Sequence, residues 1–243
     1  MRQLLVAVGM IACLYTVVVF LSGQNSDFEE VTMKDGTTIE FRLTAPEQER
    51  ESYPFLLALP PGPQTRGTVD WGWRVLYKAQ ATERGWVVVS PVAPGGRLFF
   101  QGSEKYLPEL IEQLSRRYPL EGGKVHLAGV SNGGLASFRV ANGWPQLFHS
   151  IAVLPGWPGP DLLRHLDRIV DIPLKMWVGE KENKVRFDLM RQARSALLAL
   201  GGTVELEIRP GEGHTITSLF GGEELFDYLE RHRPTHESPE SRP

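Results

Sequence analysis

Ser131 sits in Gly129-Val130-Ser131-Asn132-Gly133-Gly134, after a strand-like run, Lys124–Val130, and before a helix-like one. A G-x-S-x-G sequence between a strand and a helix is the setting of a nucleophile elbow. The sharp turn projects the serine hydroxyl, and the residues two before and two after pack together, so both are small. A serine hydroxyl is a weak nucleophile near neutral pH and needs a base, which in turn needs an orienting acid. Of six histidines, His214 lies in Gly211-Glu212-Gly213-His214-Thr215, on a thin loop after the last strand-like run. It can reach back over a sheet to Ser131. His126, His149, His165, His232 and His236 read as structural or exposed. Pro234 breaks the helical spacing of the last two, so they do not read as a metal pair.

The acid is expected between Ser131 and His214, on the loop Gly179-Glu180-Lys181-Glu182-Asn183-Lys184-Val185. Glu182 is the first choice, with Asp188 and Glu180 as fallbacks. The order Ser–acid–His differs from the chymotrypsin and subtilisin orders. An oxyanion needs backbone N–H donors. Asn132 supplies one by its place after the nucleophile. The second is expected after Phe55–Leu59, where Pro60, Pro61 and Pro63 have no N–H, leaving Gly62 and Gln64. Among the aromatics near these loops, Trp71, Trp73, Phe99, Phe100 and Trp157 are weaker candidates for a substrate pocket.

These residues need a scaffold that gathers loops at one end. Phe55–Leu59, Trp86–Ser90, Val125–Val130, Ser150–Leu154, Leu174–Val178 and Val204–Ile208 read as buried strands. Helical runs at Asp70–Arg84, Glu104–Arg117, Asn132–Asn142, Asp161–Ile169, Val185–Leu200 and Glu223–Arg231 alternate with them. Asp70 is the expected N-cap of the first and Gly85 its C-cap. A hairpin, Phe28–Met33 and Thr37–Leu43, turns on Asp35-Gly36. The expected fold is α/β, a mostly parallel central sheet with helices on both faces. No cap domain fits. Pro91–Gly102 and Pro155–Pro160 are the segments long enough to act as lids.

The chain has 243 residues, 42% hydrophobic and 23% charged, with net charge −3. Its pI is near 6.1. This composition argues against disorder and against a nucleic-acid partner. One cysteine, Cys13, allows no intrachain disulfide and no Cys-based zinc site. No Walker or dinucleotide motif occurs, and the chemistry above needs no cofactor or metal. The uncharged run Leu4–Leu21 would span about 27 Å as a helix. The expected division is therefore 1–26 as signal-anchor or cleaved signal peptide, 27–233 as the folded domain and 234–243 as a disordered tail. With an anchor, the membrane is a partner through the N-terminal segment and the domain is extracytoplasmic. With cleavage, the domain is secreted or periplasmic.

On four stretches the chain resembles the α/β-hydrolase superfamily, and within it the polyhydroxybutyrate depolymerase / feruloyl esterase type. They are Leu59-Pro60-Pro61-Gly62-Pro63-Gln64-Thr65, Gly129–Gly134, Ile172-Pro173-Leu174 through Val185, and Gly213-His214. The resemblance runs from about Phe55 to Tyr228, and the Ser-Asn-Gly-Gly elbow is its most specific part. It implies a small-molecule or oligomeric ester as substrate. The chain departs from the pattern twice: Pro60-Pro61 replaces His-Gly, and Glu182 stands where Asp is usual. The expected activity is a serine esterase with a Ser-Glu-His triad. The alternatives are a peptidase or acyltransferase on the same triad, or an inactive hydrolase fold that serves as a binding module.

Overall fold

The structure is a computed structural model that describes residues 28–234. The 1–26 segment, with Leu4–Leu21 and Cys13, lies outside the described residues, as do residues 235–243. Among the described residues no helix is long and apolar enough to cross a membrane.

The apolar runs become the strands of one eight-stranded sheet. β1 (Glu29–Thr32) and β2 (Thr38–Thr44) form the hairpin, with Gly36 at φ +86° in the turn. β3 (Phe55–Leu59) follows, then α1 (Arg66–Gly72), a π-helical turn (Trp73–Tyr77), α2 (Lys78–Arg84) and β4 (Val87–Pro91). Next come α3 (Leu107–Ser115), β5 (Val125–Gly129), α4 (Asn132–Gly143) and β6 (Phe148–Val153). β7 (Leu174–Gly179), α5 (Lys184–Ala199), β8 (Val204–Arg209) and α6 (Glu223–Arg231) complete the order. The strands lie in the order β1-β2-β4-β3-β5-β6-β7-β8, and only β2 runs against its neighbours.

Alternation along β3 splits the core in two. Phe55, Leu57 and Leu59 join one apolar cluster, while Leu56 and Ala58 join another. Leu110, Phe138 and Met190, from α3, α4 and α5, close the first face. Trp73, Leu76 and Tyr77 join Phe226 and Leu229 of α6 on the second. Each such side chain removed from water contributes about 1.5–3 kcal/mol. Coverage of both faces makes the central strands mostly apolar, with Ser90, His126 and Ser150 as buried polar exceptions.

Three helical runs differ from the sequence reading, one being Glu104–Arg117, whose first turn is 3-10 (Ser103–Tyr106) ahead of α3. The first helix begins at Arg66, with Thr65 as N-cap, and not at Asp70. Asp70 is instead paired with Arg42 of β2 and with Arg74. Gly85, at φ +72°, does end α2 as expected. Leu162–Ile169 is a 3-10 stretch interrupted at His165, not an α-helix.

At the amino ends of the strands lies a buried polar group. His126 of β5 is fully buried, with Nδ1 2.8 Å from Ser150 Oγ. Its Nε2 has no hydrogen-bond partner among the described residues, and its ring lies 5.0 Å from that of Trp86. Burial, reinforced by His149, His232 and Arg233, lowers its pKa from 6.5 to about 3. Arg233 bonds both carboxylate oxygens of Glu121 nearby, at 2.8 and 2.9 Å.

Candidate active site

The serine turn follows from steric demands that only glycine meets. Ser131 has φ +55° and ψ −112°, a backbone conformation costly for a side-chain-bearing residue. A Cβ on Gly129 would strike the Gly133 carbonyl and Ser137 Oγ. One on Gly133 would strike the backbone of Leu59, and one on Gly134 the backbone of Pro155 and Gly156. Ser131 N–H donates to Pro155 O at 2.7 Å, and Gly133 N–H to Val130 O at 2.8 Å. The strained turn is thus held from β6 and from within, and the hydroxyl stands at the amino end of α4.

The structure brings Ser131, His214 and Glu182 together from three different strand ends. Ser131 Oγ lies 2.8 Å from His214 Nε2, and His214 Nδ1 lies 2.5 Å from Glu182 Oε2. The His214 loop presses against the end of β7, where a Cβ on Gly179 would collide with the Gly213 and Glu212 carbonyls. Lys181 N–H donates to Glu212 O at 2.8 Å, joining the two loops. The Glu182 side chain is 1% exposed. Its Oε1 accepts from Asn183 N–H at 2.8 Å and lies 3.6 Å from Arg186 Nη1. Asn183 caps α5 by accepting from Val185 N–H, so the positive end of that helix faces the carboxylate. The two fallback acids are engaged elsewhere. Glu180 accepts from Gly211 N–H at 2.8 Å, and Asp188 pairs with Lys184 Nζ at 2.6 Å.

Of the three expected oxyanion donors, the structure commits one, Gln64 N–H, to another acceptor. Neither Asn132 N–H nor Gly62 N–H has an acceptor among the described residues. Asn132 Nδ2 also donates to Gly62 O at 2.9 Å, which ties the two peptides together. Gln64 is not a donor to the site. It is fully buried, at φ +53°, and its N–H points to Pro61 O at 3.2 Å. Its side chain bonds Pro60 O and accepts from Phe99 N–H at 2.8 Å. The left-handed backbone conformation is what turns Gln64 inward, and alternation of prolines could not reveal it. The same bridge ties Phe99, within the Pro91–Gly102 segment, to Gln64.

A cleft of about 350 Å³ opens beside Ser131. Pro61, Gly62, Trp71, Leu76, Leu154 and Phe220 are among its walls. Phe99 and Phe100 are not. Phe99 is fully buried, and Phe100 packs on the first core. Trp157 does not line the cleft either, but its ring lies 6.3 Å from that of His214, with Arg186 stacked on it at 4.6 Å. Arg186, four residues past Glu182, escaped the sequence reading although helical spacing points to it. Trp71, named from the sequence, does line the cleft, whereas Phe220 was missed because the cleft joins segments far apart in the chain. Among the described residues no group of His, Cys, Asp and Glu is arranged to hold a metal ion.

No protein-family model matches the chain, and no curated protein matches it. Solved structures do. It is similar to a thermostable esterase, with TM-score 0.72 and 19% identity, over 86% of this chain and 64% of that one. It is similar to a protein assigned as a dipeptidyl aminopeptidase IV from Bacteroides ovatus, with TM-score 0.67 and 15% identity, over 86% of this chain and 36% of that one. It is also similar to poly(aspartic acid) hydrolase-1 from Sphingomonas sp. KT-1, with TM-score 0.64 and 15% identity, over 83% of this chain and 97% of that one. The chain thus spans less than two thirds of the first two. The strand order and these likenesses show one fold.

Proposed function

We propose that this chain, which has the α/β-hydrolase fold, is a serine hydrolase that cleaves carboxylic esters through an acyl-enzyme. The observation that carries the reading is the continuous line Ser131 Oγ–His214 Nε2, His214 Nδ1–Glu182 Oε2 at the carboxyl ends of the strands. An inactive binding module would have no need of a strained serine held against a histidine and a buried carboxylate.

In the proposed mechanism, Ser131 Oγ bonds to the ester carbonyl carbon while its proton passes to His214 Nε2. The carbonyl electron pair moves to oxygen, which accepts from Asn132 N–H and Gly62 N–H. One such donor is typically worth about 3–4 kcal/mol of barrier. Collapse breaks the bond to the alkoxide, which takes the proton from His214 and leaves as the alcohol. Water then attacks the acyl carbon, giving its proton to His214. The acid departs as Ser131 is reprotonated. Glu182 holds Nδ1–H throughout and offsets the imidazolium charge. Arg186 and the α5 amino end in turn offset the charge of Glu182.

An ester is favoured over a peptide because, among the described residues, no Asp, Glu, Lys or Arg lines the cleft to hold a peptide terminus. The test is a fluorophosphonate probe together with matched p-nitrophenyl acetate and p-nitroacetanilide. Wild-type protein should be labelled and should turn over the ester, and Ser131→Ala should do neither. Labelling that persists in Ser131→Ala rejects the reading. Faster turnover of the anilide than of the ester replaces esterase with peptidase.

A further inference from the structure

The walls of the cleft come from two segments that a wide helical turn brings together. In a regular α-helix Trp71 and Leu76 would point about 140° apart, at roughly 100° per residue. Between them lies the π-helical turn Trp73–Tyr77, whose looser winding carries five residues in little more than one turn. Trp71 and Leu76 therefore face the same cleft. Val75 O accepts from Gly221 N–H at 2.8 Å. Gly222, at φ +78°, packs so closely on Leu76 O that a Cβ there would collide. This contact fixes Phe220, whose ring meets Trp71 edge-to-face at 5.9 Å. Both rings stand partly exposed at the rim, 37% for Trp71 and 42% for Phe220. Leu76, Leu154, Ile216 and Leu219 lie deeper, all nearly buried.

The cleft is thus an apolar pocket with an aromatic rim, beginning at Ser131. Its volume is at the small end of the usual ligand range of roughly 300–1,000 Å³. Among the described residues, hydroxyl and imidazole side chains reach it from Ser131, His214, Thr68 and Thr215, and no charged one does. An ionised group placed here would lose its hydration and gain no partner. We infer that this pocket selects esters carrying an uncharged alkyl chain of medium length or a single aromatic ring, with Trp71 and Phe220 as the residues that set the preference.

The inference rests on the serine hydrolase reading, and its test separates the two. Gly67 is a pocket residue at the mouth, in α1. A Cβ there meets nothing nearer than Thr65 Oγ1 at 4.0 Å, and its backbone is helical, so Gly67→Trp narrows the entrance without strain. Two ester series are measured on wild type and Gly67→Trp. One varies the acyl group on p-nitrophenol from acetate through butyrate and octanoate to palmitate, with succinate as a charged member. The other varies the alcohol of acetate esters over the same lengths.

In one series, wild-type kcat/KM should rise about fourfold per added methylene while the chain is inside, then fall at palmitate. The charged member should be poor. In Gly67→Trp the octanoate-to-acetate ratio should drop at least tenfold. The responding series tells whether the pocket holds the acyl or the alcohol side. If both series are flat, or the ratio is the same in the variant, the pocket inference is wrong although acetate turnover and probe labelling of Ser131 persist. If acetate turnover and labelling are themselves absent, the hydrolase reading fails first, and the pocket inference falls with it.

Discussion

Glu182 is the residue whose role is most sharply testable. Its carboxylate is buried to 1% exposure, bonded to His214 Nδ1 at 2.5 Å and faced by Arg186 and the α5 amino end. Glu182→Gln keeps the shape but replaces an anion with an amide, which can present N–H to Nδ1 and favour the wrong tautomer. We expect kcat to fall about 10²–10⁴-fold, with KM changed far less, in steady-state ester hydrolysis. A fall of less than tenfold would move the orienting role elsewhere. At this scale the sequence was informative, because Ser131, Glu182 and His214 are marked by glycines and loop position. Gln64 shows the limit. Elimination of the prolines left its N–H as a candidate donor, but a φ of +53° directs that N–H to Pro61 O and the side chain into the core. A backbone torsion at a non-glycine residue leaves no mark on residue type.

Among the elements, the loop Pro60–Gln64 decides where Gly62 N–H points. Prolines stiffen it, Asn132 Nδ2 holds Gly62 O, and Gln64 fastens the loop to Phe99. Gln64→Gly removes both side-chain bonds but tolerates the positive φ. Gln64→Ala removes the same bonds and keeps the torsional cost. Both variants should lose about 1–3 kcal/mol of stability, with Gln64→Ala the less stable by roughly 1 kcal/mol. Urea denaturation measures the difference, and equal midpoints for the two variants would contradict a strained Gln64. The strands were legible as apolar runs because both faces of the sheet are covered. The first helix was misplaced because Asp70, a good N-cap by type, is spent on Arg42 and Arg74. Apart from Trp71, the apolar pocket was illegible because it depends on the π-helical turn and on Gly221 meeting Val75. Neither is written in periodicity, and Phe99 and Phe100 were therefore assigned to the wrong place.

For the molecule as a whole, the sheet has two functional ends. Ser131, Glu182 and His214 follow the carboxyl ends of β5, β7 and β8, while His126 sits near the amino end of β5. Its pKa is about 3 in the folded protein against 6.5 for an exposed histidine. Between these values the unfolded chain takes up a proton that the folded chain refuses. Stability should therefore fall as pH drops from about 6.5 towards 3, by up to about 1.4 kcal/mol per pH unit from this group. His126→Gln keeps a partner for Ser150 and removes the titration. Its urea midpoint should depend less steeply on pH than that of wild type, and parallel curves would show that His126 does not govern the slope. The two ends have separate consequences for inactivation. Over this window, loss of turnover in acid includes depletion of folded molecules, and that part is repaired from β5's far end. Improving acid tolerance is then a matter of replacing a core histidine at the amino end of β5, with the catalytic loops left as they are.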